Sequence, residues 1–393
     1  MERKQGIIGA VLVVLTCLAS VGVGAPAAAD ATGPSGPRRL TLRVVGPHGQ
    51  AVAGAKIGTG LNVFENSQGH PPQTIRMWLR GGHRRWPFVS DGTGRVVLAD
   101  EHAAHRQFYV LYEPRGWVGY VAVDEAPATG EVQVSLEPAC HVQGWLGSSE
   151  FEQLGLTLLE TVAFVYDSQR RLIMYFVSER GRCEFLLPSG TYWLEMEGSG
   201  PHGMTTRRLE REFTIAPGQA ALDLGAVDLP ATRLASLLGK PAPELEGVKA
   251  WLGGGEVSLG DVRGRPVVLT FWGSWCEPGI RTMRTLMDLY DEFEPMGVVF
   301  VAVHDTTIQT TDKLQEKLIE LRTQAWQGRG PPFALALDTG EKSGALHAAY
   351  GVRQWPTTVL IGRDGKLAGQ FSPQGGLRPQ LQEMLRLSSA TGK

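Results

Sequence analysis

The residues best equipped for chemistry in this chain sit together at Trp275-Cys276-Glu277-Pro278-Gly279. An ionised cysteine is a strong nucleophile, and its surroundings decide how readily it ionises. Upstream lies an apolar run, Val267, Val268, Leu269, Phe271 and Trp272, with the length and β-branched content of a buried central strand. Downstream, Ile280, Met283, Met287, Tyr290 and Phe293 recur at helical spacing. The pattern therefore predicts Cys276 where a strand gives way to the positive end of a helix. The dipole and the free backbone N–H groups of such a helix start favour a thiolate. Pro278 falls near the first turn, where its missing N–H costs little.

Other chemistry-bearing residues form weaker patterns. Glu101, His102 and His105, with the HRRW run at 83–86, supply two ligands at metal spacing but no third or fourth. A solvated polar loop is expected there, and no metal. Either His304, followed by Asp305, or His347 could approach Cys276, but all three read first as ordinary strand-end and helix residues. The sequence contains no phosphate loop, no Ser/His/Asp order and no carboxylate pair. No cofactor is expected. Charge is nearly balanced, 38 basic against 40 acidic residues, so nothing points to nucleic acid or an anionic membrane.

The elements around this motif spread over several domains, as 393 residues imply. Residues 1–29 read as a signal peptide: Glu2-Arg3-Lys4, an apolar run from Ile7 to Val23, then Ala25-Pro26-Ala27-Ala28-Ala29. Cys17 falls inside the apolar run as a plain signal-core residue. Export to the periplasm or cell envelope follows, with membrane contact only if the segment stays uncleaved. Residues 30–37 form a linker rich in Gly and Pro. Residues 38–138 alternate short strands with turns, including RLTLRVVG, AVAGAKI, SDGTGRVVL and FYVLYE, and predict a β-sandwich module. Residues 139–229 form a second module of similar size. Its stretch GRCEFLLPSGTYWLEMEG (181–198) reads as a hairpin turning at Pro188-Ser189-Gly190. Residues 230–393 alternate strands and helices, the signature of an α/β layer domain. After cleavage three cysteines remain. Cys140 and Cys183, at the starts of neighbouring strands, are expected to form a disulfide, which leaves Cys276 free.

Two resemblances extend this reading. AVAGAKI followed by DGTGRVVL resembles carboxypeptidase regulatory-like modules. The cysteine motif, with GKPAPEL (239–245), VSLGDVRGRPVVLTFW (257–272) and YGVRQWPTTVLIGRDGK (350–366), resembles the thioredoxin-like superfamily and within it the TlpA-type exported thiol-disulfide oxidoreductases, over about residues 236–390. That resemblance implies a nucleophilic Cys276, a cis bond before Pro356, and a partner-binding surface of Trp275, Trp355, Pro356 and Thr357. It also implies protein or small-molecule thiols and disulfides as partners. The family motif is Trp-Cys-x-Pro-Cys, whereas Gly279 stands at the second cysteine here and Thr282 at a frequently acidic position. Peroxidase chemistry is disfavoured, because Gly273 and Leu269 occupy the places where a peroxiredoxin carries Thr or Ser and Pro. Two readings stand: a single-cysteine thiol-disulfide protein, with enzymatic turnover left open, or an inactive thioredoxin-fold binding or scaffold protein of the envelope.

Overall fold

The computed structural model describes residues 40–58, 61–64, 88–98, 107–123, 130–179, 181–340, 344–372 and 375–390. The signal segment, the linker up to Pro37, and His83, Glu101, His102 and His105 lie outside them. The chain divides into two compact units, one of Met1–Gly200 with Thr206–Pro230 and one of Pro201–Thr205 with Ala231–Lys393.

Among its described residues the first unit is mostly strand. It runs β1 (Leu40–Val45), β2 (Lys56–Gly58), β3 (Leu61–Phe64), β4 (Phe88–Val89), β5 (Arg95–Leu98), β6 (Gln107–Tyr112), β7 (Trp117–Ala122), β8 (Glu131–Ser135) and β9 (Glu137–Pro138). It continues with β10 (Cys140–Gly147), helix α1 (Ser149–Gln153), β11 (Glu160–Asp167), β12 (Leu172–Ser178), β13 (Arg182–Leu187), β14 (Gly190–Ser199), β15 (Leu209–Ile215) and β16 (Ala221–Asp228). β1 lies between antiparallel β5 and parallel β8, and β10 lies likewise between β13 and β16. β2 pairs with β4 and β6, and β6 with β7; β11 pairs with β12 and β14, and β14 with β15. Strands β1, β2 and β4–β8 are thus paired in the order in which β10–β16 are paired. Two extra strands extend edges: β9 beside β7, and β3 parallel to β12.

Burial follows the pleat, in which successive residues face opposite sides of a sheet. Leu42 and Leu98 meet Ile57, Phe108 and Val110 in one core. Val142 and Phe185 meet Val165, Phe176 and Leu194 in another, which also takes Tyr109 and Leu111. β6 therefore sends alternate residues into two cores, which explains its unbroken apolar run QFYVLY. The Tyr109 hydroxyl donates to the Leu186 carbonyl at 2.7 Å, so the one polar atom this strand buries there is satisfied.

Two expectations fail in this unit. The hairpin over 181–198 does not form, because β13 pairs with β10 while β14 pairs with β11 and β15. Pro188 and Ser189 instead carry the chain from one sheet to the other. The disulfide between Cys140 and Cys183 is also absent, and both thiols are free. Their strands are neighbours, but Cys140 lies opposite Leu187 and Cys183 opposite Gly144. Four residues of offset amount to about 13 Å along a strand, against the roughly 7 Å that a disulfide spans between Cα atoms.

The second unit has the thioredoxin-like fold. Its sheet is ordered β17-β20-β19-β18-β21-β22, from β17 (Ala250–Leu252), β18 (Val267–Trp272), β19 (Val299–His304), β20 (Ala334–Leu337), β21 (Thr357–Ile361) and β22 (Leu367–Gln370). Helices α2 (Arg233–Leu237), α3 (Glu277–Phe293), α4 (Thr311–Gln324), α5 (Ala345–Tyr350) and α6 (Leu377–Ala390) complete it. Every residue of central β18 is buried, as its apolar run requires. Met283, Met287 and Phe293 of α3 pack with Trp272, Leu377 and Leu381 in one core. α4 buries Leu314 and Leu321, and Trp326 just beyond it is fully buried, its indole donating to the Ile280 carbonyl at 2.9 Å. β18, β19 and β20 run parallel, with Trp272, His304 and Leu337 in register at their carboxyl ends. Antiparallel β21 begins beside them, with Thr357 opposite Phe271. Four strands thus deliver side chains to one edge, the edge at which open α/β sheets bind ligands.

Candidate functional site

Cys276 occupies the N-cap of α3, with extended backbone and no capping hydrogen bond from its side chain. Its own N–H donates to the Gly273 carbonyl at 3.1 Å, so a tight turn links β18 to the helix. Cys276 is 6% exposed, and its Sγ donates to the Trp355 carbonyl at 3.4 Å. The Trp355–Pro356 peptide bond is cis. Trp275 is 57% exposed, and its ring meets that of Trp355 edge-on at 5.9 Å. Cys276, Trp275, Trp355 and Pro356 thus converge. Thr357 is turned away from solvent, its hydroxyl donating to the Gln354 carbonyl at 2.8 Å. Glu277 and Pro278 are exposed on the first turn of α3, and Glu277 pairs with Arg281.

Gly279 is buried one turn into the helix. A Cβ built there would lie 3.6 Å from the Cβ of Cys276 and 3.3 Å from the Gly273 carbonyl oxygen. The helix therefore has room for a small side chain beside the sulfur, and the sequence leaves that room unfilled.

Buried polar groups connect to the two tryptophans of this site: His304, Asp305 and His347, named from the sequence, and Asp338 and Ser274, which were not. His347, on α5, has a fully buried ring whose Nδ1 lies 2.6 Å from Asp338 Oδ2, while its Nε2 accepts from the Trp355 indole at 2.9 Å. Burial pushes the Asp338 carboxyl up, but hydrogen bonds from the His347 ring and from the N–H groups of Leu346 and His347 outweigh it and hold the group below the ordinary carboxylate value. His304, also fully buried, accepts at Nε2 from the Ser274 N–H at 3.0 Å and lies 2.9 Å from the Asp305 carbonyl through Nδ1. Burial pushes this imidazole below its ordinary value. Asp305 accepts from the Trp275 indole at 2.7 Å. The sequence signals for these residues are single polar letters in apolar surroundings, such as the histidine of ALHAAY.

The AhpC/TSA family model matches residues 238–370. Thiol-disulfide oxidoreductase ResA of Bacillus cereus is 31% identical over 149 residues, spanning 38% of this chain and 77% of that protein. ResA of Bacillus anthracis is 32% identical over 134 residues, spanning 34% of this chain and 69% of that protein. Among solved structures, the thiol:disulfide interchange protein DsbE of Chlorobium tepidum is 28% identical, with a TM-score of 0.30, covering 38% of this chain and 97% of that one.

Proposed function

The chain belongs, through its C-terminal unit, to the family of the ResA thiol-disulfide oxidoreductases, and from that premise we propose that it exchanges disulfides through Cys276 alone. The observation that carries this reading is the glycine at 279, with its Cβ position 3.6 Å from that of Cys276, where a dithiol protein would hold its second sulfur. The Cys276 sulfur, as thiolate, attacks one sulfur of a partner disulfide. A new S–S bond joins Cys276 to the partner, the old S–S bond breaks, and its electron pair leaves with the second partner sulfur as a thiolate. No second cysteine follows in the helix, so release falls to an external thiol. That thiolate attacks the partner sulfur of the mixed disulfide, returns the electron pair to Cys276 and carries the partner away as a new disulfide. Electrons balance as thiol-disulfide exchange with no further oxidant.

The test uses the full chain and a peptide disulfide that releases a chromophoric thiol. One equivalent of thiol per chain is expected, with a mixed disulfide at Cys276, and sustained release only after an external thiol is added. Multiple turnovers without added thiol, or unchanged release from Cys276→Ser, would overturn it. The 6% exposure of Cys276 favours a second reading, a thioredoxin-fold scaffold that binds without chemistry. Cys276 that reacts only when the chain unfolds would support that one.

The first unit, on this reading, consists of two carboxypeptidase regulatory-like β-sandwich modules, residues 38–138 and 139–229, preceding a redoxin domain of 230–393. The repeated order of seven strands supports it. The basic and apolar start of the chain supports export to the periplasm or envelope. N-terminal sequencing of the mature protein should start near Asp30, and a start at Met1 would defeat it.

A further inference from the structure

Trp355 is fixed at two points. Its carbonyl faces the Cys276 sulfur at 3.4 Å, and its indole N–H reaches His347 Nε2 at 2.9 Å. An indole nitrogen only donates, so Nε2 is the accepting nitrogen and Nδ1 carries the imidazole proton, toward Asp338. Asp338 in turn is held by its surroundings. Its Oδ2 accepts from the His347 ring at 2.6 Å and from the His347 N–H at 3.0 Å, and its Oδ1 accepts from the Leu346 and Thr339 N–H groups at 3.0 and 2.8 Å. The imidazole is packed edge-on against Phe271 at 4.9 Å, between β18 and the Trp355 ring. Each ring nitrogen of this buried chain has one partner, and each oxygen of Asp338 has two.

Burying a carboxylate and an imidazole costs free energy that an apolar pair of similar volume would not incur. Asp338 has a use in the fold, since it accepts from the free N–H groups of Leu346 and His347 at the start of α5, but the imidazole of His347 sits among Phe271, Tyr350 and Leu346, where an apolar side chain would pack as well. What the pair adds is direction: an acceptor aimed at the Trp355 indole and locked from behind. We propose that Asp338 and His347 are positioning residues, which fix Trp355 through its indole and thereby hold its carbonyl and the start of β21 against the Cys276 sulfur. The role rests on the disulfide-exchange reading above, but the anchor itself is a hydrogen bond that can be observed without any reaction. Trp275, anchored on the other side by Asp305 at 2.7 Å, completes an aromatic cleft with two independent restraints.

The test compares His347→Leu, which removes the acceptor, with His347→Gln, whose amide can both accept from the indole and donate to Asp338. Trp355→Phe keeps an aromatic ring without the N–H, and remains informative where His347→Leu fails to fold. In the full-length protein with 15N-labelled tryptophan, the Trp355 indole resonance is identified by its loss in Trp355→Phe. It should be protected from exchange in the wild type and in His347→Gln, and exposed in His347→Leu. The rate of mixed-disulfide formation at Cys276 should fall about five- to tenfold in His347→Leu and Trp355→Phe, as loss of one hydrogen bond implies. It should recover in His347→Gln, and the His347→Leu/Trp355→Phe double variant should lose no more than either single one. An unprotected wild-type indole, an unchanged rate in both single variants, or fully additive losses would overturn the proposal. If the wild type forms no mixed disulfide at all, the exchange reading fails while the indole signal still decides the anchor.

Discussion

Restoring a second cysteine is the sharpest test of the site. In Gly279→Cys the new Cβ would lie 3.6 Å from the Cβ of Cys276, inside the span of about 3.5–4.5 Å that disulfides occupy. Gly279 lies within α3 and has no left-handed backbone, so cysteine adopts its conformation without strain. The one close neighbour is the Gly273 carbonyl oxygen at 3.3 Å, which must give by a few tenths of an ångström. Replacing a helical glycine returns about 0.3 kcal/mol of propensity, of the same order as that adjustment. A disulfide closing a four-residue loop removes about 2 kcal/mol of entropy from the unfolded chain. The oxidised variant should therefore be about 2 kcal/mol more stable in its C-terminal unit than the reduced one. Thiol exchange in glutathione buffers, quenched with acid and read by mass, gives the fraction oxidised, and denaturant unfolding of each form gives the difference in stability. The same variant should turn over a peptide disulfide with a dithiol reductant and accumulate little mixed disulfide. A folded Gly279→Cys chain that keeps both thiols free in buffers that oxidise its unfolded form would refute the geometry. One that forms the bond but still stalls as a mixed disulfide would refute the role assigned to the missing sulfur.

Two further outcomes follow from buried groups. Burial holds His304 below its ordinary value of 6.5, so the folded state binds fewer protons than the unfolded one; the stability this contributes is complete above about pH 6.5 and is lost as pH falls below it. Melting of the C-terminal unit should shift down between pH 7 and pH 5, and His304→Gln should flatten that slope; an unchanged slope in a folded variant would exclude His304 as its source. Burial raises the Cys140 thiol and pushes Cys183 up to about 12, so neither should react with iodoacetamide at pH 8 in the folded chain. Both should react in denaturant without reductant, and resistance there would reveal the bond that the strand register forbids.

How far the sequence carried depends on which forces act locally. The strand at 267–272, helix α3 and the turn between them were legible because period and apolar run length follow from the backbone itself. So was the separation of a strand-rich region from an α/β region. Strand partners were not legible. GRCEFLLPSGTYWLEMEG carries a turn between two alternating runs, and such a pattern suits a hairpin or a step from one sheet to another equally well. The choice was made by remote residues: β10 claims β13, and β11 with β15 claim β14. The same ignorance of register produced the unfounded disulfide, for adjacency of strands was inferred correctly and their offset was not.

At the site the boundary falls between residues marked by local pattern and residues recruited by topology. Cys276 and Pro278 stand out because a helix start imposes recognisable types at fixed positions, whereas Gly279 stands out only against the Trp-Cys-x-Pro-Cys motif of the resembled family. His347 does not, because its meaning lies in three residues from three other places: Asp338 just past β20, Phe271 in β18 and Trp355 before β21. A histidine on a short apolar helix is most often a satisfied core residue, and that weighting was sound from sequence alone. What changes it is the direction of the hydrogen bonds. A histidine that merely satisfied itself would need one acceptor and any donor, whereas this one spends its accepting nitrogen on the residue whose carbonyl faces the only cysteine of the C-terminal unit. On the proposed single-cysteine exchange the point sharpens: with no resolving thiol in the helix, the geometry of the first attack would rest on Cys276 and the two anchored tryptophans.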